Sequence, residues 1–231
     1  MNKCHHSLNC LGKVPIFSHL NLDEQLEIHS TIISRSLKKD ELLYQMGDLA
    51  SSLYIVNSGQ IKIYRLSKSG KEQVIRILNT GDFSGEMDLF HASYHRNYAQ
   101  AMVDTEICEI KKEDFNEFLK KYPEITLRFL SEIARRLESA ENQSFEITTG
   151  SVEERLATYL LESYQSQNSF MINLNMMKKD LASYLGTTPE TLSRTLRKME
   201  DDQLIRIIGS RQIEIIDLET IKELSSLSYI N

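Results

Sequence analysis

KKDLASYLGTTPETLSRTLRKME, Lys178–Glu200, is the stretch whose reading decides the fold. Gly186 divides it into two short helical patterns. In the first, Leu181 and Leu185 share a face, and the small Ala182 permits close approach. In the second, Pro189 suits a first helical turn, where a missing N–H costs nothing, and Thr188 before it can cap. Leu192, Leu196 and Met199 recur at i, i+4, i+7 and form a buried stripe. The spacing predicts a helix-turn-helix, a unit that leaves one face of its second helix open to a DNA major groove.

Two readings of that open face, Glu190, Ser193, Arg194 and Arg197, stand side by side. In one it is a solvated surface: Thr187 and Glu190 have capping-box spacing, and the arginines pair with Glu190 or Asp201. In the other it reads bases, with Arg194 donating to guanine, Glu190 accepting from cytosine and Ser193 touching either of several edges. Lys178, Lys179, Thr188, Arg197, Lys198, Arg206 and Arg211 then suit phosphates, which position without specifying.

Outward from the motif, IRIIGSRQIEIID, Ile205–Asp217, reads as a hairpin around Gly209–Ser210 that would form a wing. Upstream, SVEERLATYLLESY, Ser151–Tyr164, is an amphipathic helix with a Ser151 cap and Glu154 three residues later. Gly150 marks a hinge before it. Pro123 opens a long helical segment in which Leu130, Ile133, Leu137, Ala140, Ser144 and Ile147 alternate steps of three and four. Such a seam either packs on the preceding domain or joins a second copy of the chain as a homodimer.

From about Lys38 to Ile110 the pattern changes to short strands. Gly47, Gly59, Gly70 and Gly81 fall 12, 11 and 11 residues apart and punctuate β-rich runs, which predicts a compact antiparallel sandwich or barrel. SKSGK, Ser67–Lys71, is a hairpin turn by composition.

The net charge of −6 and pI near 5.6 argue mildly against nucleic acid as a whole-protein property, so local charge must carry that reading. The opening MNKCHHSLNC has no apolar signal-peptide core, and no run reaches a membrane span. A cytoplasmic chain that does not span a membrane is expected. Three cysteines do not make a structural disulfide framework. No P-loop or dinucleotide fingerprint occurs, no nucleophile–base constellation stands out, and the six histidines show no HExxH-like spacing, so catalysis is not expected.

Four pieces, in order, carry a family resemblance over nearly the whole chain. SLYIVNSGQIKIYRLSKSGKEQV (Ser52–Val74) and YAQAMVDTEICEI (Tyr98–Ile110) resemble the β-roll of the Crp/Fnr bacterial transcription regulators. VEERLA (Val152–Ala157) resembles the start of their DNA-binding domain, and ETLSR (Glu190–Arg194) their Fnr-type recognition motif. The resemblance implies an α+β chain in three parts: an N-terminal, cyclic-nucleotide-binding-like antiparallel β-roll over 1–112, a long dimerisation helix and hinge over 113–149, and a winged helix-turn-helix over 150–231. It further implies that Glu190, Ser193 and Arg194 read TTGAT-like half-sites in palindromic double-stranded DNA. Two recognition helices would sit about 34 Å apart. Pro189 departs from the residue common in the family, which bears on the outermost base. By the same resemblance, the SKSGK hairpin and the Asn57–Gly59 turn would touch RNA polymerase.

The resemblance leaves the sensed signal open. A cyclic nucleotide would need Gly85 and Glu86 for its ribose and Arg96 for its phosphate, yet Asn97 and Tyr98 follow where nucleotide binders have a small hydroxyl and Ala. Tyr98 is expected to crowd the pocket. Alternatively, Cys4, Cys10 and Cys108, with His5 and His6 nearby, suit redox or oxygen sensing. An iron–sulfur cluster normally takes four thiolates, so a histidine would have to complete the set. Zinc has a similar ligand count, and a reversible disulfide from Cys4 or Cys10 to Cys108 is the third form. The bland reading makes Cys108 a small buried hydrophobe beside Ile110.

Overall fold

The computed structural model describes residues 11–12, 14–86, 89 and 93–225. It divides into two compact units, Met1–Arg136 and Leu137–Asn231. In the first, helix α1 (Leu22–Thr31) starts at a capping box between Asn21 and Glu24. Ten strands follow: β1 (Ile33–Leu37), β2 (Leu42–Tyr44), β3 (Leu49–Ala50), β4 (Ser52–Ser58), β5 (Ile61–Leu66), β6 (Glu72–Leu78), β7 (Phe83–Ser84), β8 (Ser93–Tyr94), β9 (Tyr98–Ala101) and β10 (Thr105–Lys111). They form two four-stranded sheets, ordered β1-β10-β4-β7 and β2-β9-β5-β6, and a β3–β8 ribbon. Every pairing is antiparallel. The Ser67–Lys71 turn joins β5 to β6 as expected, closed by Ser67 N–H donating to the Lys71 carbonyl at 2.9 Å.

Strand alternation gives this unit two cores. Tyr54 and Val56 of β4 and Ile107 of β10 face the interior of the roll, with Tyr44, Ile61, Ile63, Ala99 and Ala101. Leu53 and Ile55 of β4, and Cys108 and Ile110 of β10, face the opposite way. There they meet the N-terminal arm (Leu11, Val14, Ile16, Phe17 and Leu20) and Phe115, Ile125 and Phe129 from two helices, α2 (Lys112–Lys121) and α3 (Pro123–Thr149). Both faces of β4 are therefore covered, and Ser52 to Val56 are all buried.

Pro123 does open the long helix, which runs 27 residues. Its seam is divided. Leu130 and Leu137 are 58% and 59% exposed, and Ala140 and Ser144 are exposed too. Ile133 instead is partly buried against the arm-side core. Leu127, one turn before the seam, is a further exposed apolar residue. The side chain of Ile147 lies outside the described residues.

The second unit continues with α4 (Val152–Gln167), whose capping box at Ser151 and Glu154 forms as the spacing predicted. Then come β11 (Met171–Asn173), α5 (Lys178–Tyr184), α6 (Pro189–Asp201), β12 (Ile205–Ile208), β13 (Gln212–Ile215) and α7 (Leu218–Leu224). The wing hairpin is present, with a turn at Gly209–Arg211. It gains a third strand the sequence did not reveal: β11 pairs with β13. Only three residues long, MIN offered too little period to register as a strand.

Candidate nucleic-acid interface

The helix-turn-helix forms because its apolar positions close over one another. Leu181, Ala182, Leu185, Leu192, Leu196 and Met199 are all buried. Gly186 follows α5 with φ 67°, a left-handed backbone that favours glycine. The Thr187 N–H donates back to the Ala182 carbonyl at 2.9 Å, which ends α5 and turns the chain into α6. Thr188 caps α6, accepting from the Thr191 N–H at 3.2 Å, and Pro189 takes the first turn. A capping box between Thr187 and Glu190 does not form, because Thr188 holds the cap and Thr191 the third position.

Glu190, Ser193, Arg194 and Arg197 are all exposed along one face of α6. The Glu190 carboxyl is held below its usual range by its own backbone N–H and then by the Thr188 hydroxyl. It is thus an ionised acceptor at neutral pH. Arg194 donates to the Thr191 hydroxyl at 3.2 Å and, among the described residues, to no carboxylate; an arginine so placed keeps most of its donor fork available. Around this face, Lys179, Arg197 and Arg211 are exposed and Lys178 is half-buried; no ion pair holds any of them among the described residues. Lys198 and Arg206 differ: Lys198 pairs with Glu153 at 2.5 Å and Arg206 with Glu214 at 2.9 Å. To engage a phosphate, each would have to leave or share its carboxylate.

One residue that the sequence reading passed over ties this unit together. Arg155, on α4, donates from Nε to the Leu185 carbonyl at 2.8 Å and from Nη1 to the Gly150 carbonyl at 2.6 Å. It therefore holds both the helix-turn-helix turn and the residue before the cap of its own helix. The only signal in the sequence was an arginine beside the buried Leu156 and Ala157 of an amphipathic helix. Charge-assisted hydrogen bonds each contribute roughly 1.5–3 kcal/mol, so Arg155→Met should cost about 2–4 kcal/mol. Urea denaturation of the full chain measures this; an unchanged midpoint would deny Arg155 this role.

Comparison with known proteins agrees with this geometry. Residues 34–122 match the cyclic nucleotide-binding domain model, and residues 154–224 match the Crp-like helix-turn-helix domain model. A probable transcriptional regulator, flp, of Lacticaseibacillus casei is 33% identical over 215 residues, covering 93% of this chain and 97% of that protein. The chain belongs to the Crp/Fnr family of transcription regulators. An anaerobic regulatory protein of Haemophilus influenzae is 30% identical over 210 residues, 88% of this chain and 81% of its own. Among solved structures, FixK2 from Bradyrhizobium japonicum superposes with a TM-score of 0.74 at 26% identity, over 84% of this chain and 98% of that one. The protein is thus a DNA-binding regulator and not an enzyme. Among the described residues, no helix is long and apolar enough to cross a membrane.

Within the Crp/Fnr roll, the positions expected for a cyclic nucleotide are differently employed. Gly85 has φ 96°, and a Cβ there would run into the Ser52 carbonyl oxygen. It is a glycine for the sake of that close approach. Glu86 is 8% exposed, and its Oε1 accepts from Arg76 and Arg136, each at 3.0 Å. Arg96 is exposed, while the preceding His95 is buried and stacks on Tyr44 at 3.7 Å between ring centres. Tyr44 in turn bonds Ser84 through its hydroxyl at 2.7 Å and packs against Tyr54. Tyr98 does not crowd the interior as expected: Ala99 and Ala101 point inward, and Tyr98 pairs across the strands with Tyr64, stacked at 5.2 Å. Among the described residues, Glu86 is already engaged by two arginines and Arg96 is exposed, so this donor set does not fit a nucleotide.

Cys4, His5, His6 and Cys10 lie outside the described residues. Cys108 is 2% exposed and is disulfide-bonded, so it is not merely a small hydrophobe. With three cysteines in the chain and this one already bonded, the thiols do not fit a four-thiolate iron–sulfur cluster. Zinc would likewise need the Cys108 thiolate released.

Proposed function

We propose that this Crp/Fnr regulator acts as a cytoplasmic homodimer joined along α3, binds a palindromic TTGAT-like site, and changes DNA affinity with the redox state of Cys108. In this reading the chain works in three parts, 1–112 as sensor, 113–149 as dimer helix and hinge, and 150–231 as reader. Glu190, Ser193 and Arg194 read bases. Lys178, Lys179, Thr188, Arg197 and Arg211 meet phosphates, joined by Lys198 and Arg206 once their carboxylates yield. The observation that supports base readout is the single exposed face of α6, on which an ionised acceptor and a carboxylate-free arginine sit one turn apart. Exposed Leu130 and Leu137, followed by Ala140 and Ser144 with no charge among them, support a second copy of α3 as the partner. RNA polymerase contact through the Ser67–Lys71 turn rests on the family resemblance.

For the signal, the supporting observation is the bonded Cys108 in the same core as the arm. Leu11, the residue after Cys10, shares that core with Cys108, Phe115 and Phe129. A disulfide to the N-terminal cysteines would clamp the arm where α2 and α3 root, and reduction would leave the arm held chiefly by its apolar side chains. Relatives named as anaerobic regulatory proteins lend the redox reading its context. Fluorescence anisotropy on the palindromic duplex, at fixed salt, tests both halves. Wild type should show a reductant-reversible change in affinity between air-oxidised and reduced samples, and Cys108→Ser should show none. Equal affinity of reduced and oxidised wild type would refute the switch, and failure to prefer the palindrome over scrambled DNA would refute the site.

A further inference from the structure

The buried carboxylate of Glu86 sits in a set of charges that neither DNA binding nor the cysteines use. Arg136, on α3, donates from Nη1 to Glu86 Oε1 at 3.0 Å and to the Phe83 carbonyl at 3.1 Å. From Nε it donates to Glu132 Oε1 at 2.7 Å. Its guanidinium lies over the Phe83 ring, 3.8 Å from the centroid, and that ring stacks on Phe129 of the same helix. Arg76, on β6, reaches the same Glu86 oxygen from the sheet side at 3.0 Å. Arg135 completes the set by pairing with Glu132 at 2.7 Å. Burial alone would raise the Glu132 carboxyl, but the hydrogen bonds from Arg135 and Arg136 hold it below its usual range. Glu86 Oε2 is buried and, among the described residues, has no hydrogen-bond partner.

Each part matters to the next. Glu86 is buried and meets two arginines through one oxygen, and removing one partner of such a buried pair is far costlier than the pair is worth. Arg136 is the last residue of the first unit, and α3 is the covalent route from the roll to the helix-turn-helix. We propose that Arg136 is a positioning residue that occupies Glu86 as an intramolecular ligand, so that the pose of α3 required for DNA binding is set by this guanidinium rather than by a bound small molecule. This rests on the DNA-binding reading but not on the redox switch.

The test uses the full chain and anisotropy on the palindromic duplex, all under one redox condition. Wild-type affinity reads the DNA-binding assignment by itself; the ratio of variant to wild type reads the proposal. Arg136→Ala and Glu86→Gln should each weaken binding by about 10-fold, within the usual range of coupling between sites. The double variant should lose clearly less than the sum of the two single losses, because the Glu86–Arg136 pair is common to both substitutions. Methylguanidinium at low millimolar concentration should restore Arg136→Ala toward wild type and leave wild type and the double variant unchanged. A destabilised helix would show no such rescue. Should Arg136→Ala fail to fold, Arg136→Lys takes its place in the same cycle with Glu86→Gln, and additive losses there would overturn the proposal. Wild-type affinity in both single variants, or rescue that persists in the double variant, would overturn it equally.

Discussion

Arg194→Ala is expected to weaken binding to a matched palindrome by about 1–3 kcal/mol, roughly 5- to 150-fold, and to relax selectivity at the guanine proposed for it. The expectation follows from where the residue stands. Arg194 is exposed on α6, its one hydrogen bond among the described residues is to the neutral Thr191 hydroxyl, and Leu192 and Leu196 bury the opposite side of the helix. The substitution therefore removes no core contact, and folding should be untouched. Lys179→Ala provides the contrast: loss of a phosphate contact weakens all duplexes alike and reduces the salt slope by about one. Anisotropy titrations of both variants against matched, single-mismatch and scrambled duplexes separate the two roles. Should Arg194→Ala lose affinity equally on every duplex, Arg194 reads no base.

Gly85→Ala should be among the most damaging single-methyl changes in the protein, costing about 2–6 kcal/mol from left-handed strain and overpacking together. At φ 96° an L-residue is strained whatever the space, and the new Cβ meets the Ser52 carbonyl group, with Leu53 Cα beyond it. Both belong to β4, which is buried on two faces and has no room to retreat. This result separates two meanings of one motif. If Gly85 mattered only to a ligand, thermal and urea denaturation of the ligand-free protein would be unaffected. A large loss of stability assigns the glycine to the sheet, and then Glu86→Gln, which removes charge without adding bulk, is the cleaner probe of the neighbouring carboxylate.

The pieces legible in the sequence were those set by local rules. Helix caps at Ser151 and Thr188, the Pro123 start, the turn at Ser67–Lys71 and the wing hairpin all follow from backbone chemistry within a few residues. The exposed face of α6 was legible for the same reason: Glu190, Ser193, Arg194 and Arg197 keep one spacing while the leucines keep another. What failed were inferences about partners far apart in the chain. Arg96 looked like the phosphate ligand because it follows Glu86 by ten residues, yet His95 turns inward and Arg96 outward. Tyr98 looked like an obstruction until strand alternation placed it against Tyr64.

By itself, then, the sequence determined the order of the parts, the helix-turn-helix and the face it presents, because periodicity and capping act over one or two turns. Only the tertiary structure decided which charges are already spent. Glu153 takes Lys198, Glu214 takes Arg206, and Arg136 reaches Glu86 from fifty residues away. It also placed Cys108 on the arm side of β10, bonded, rather than inside the roll. The physical reason is that an ion pair or a thiol's surroundings depend on distance in space, which strand pairing and core packing set and sequence separation does not.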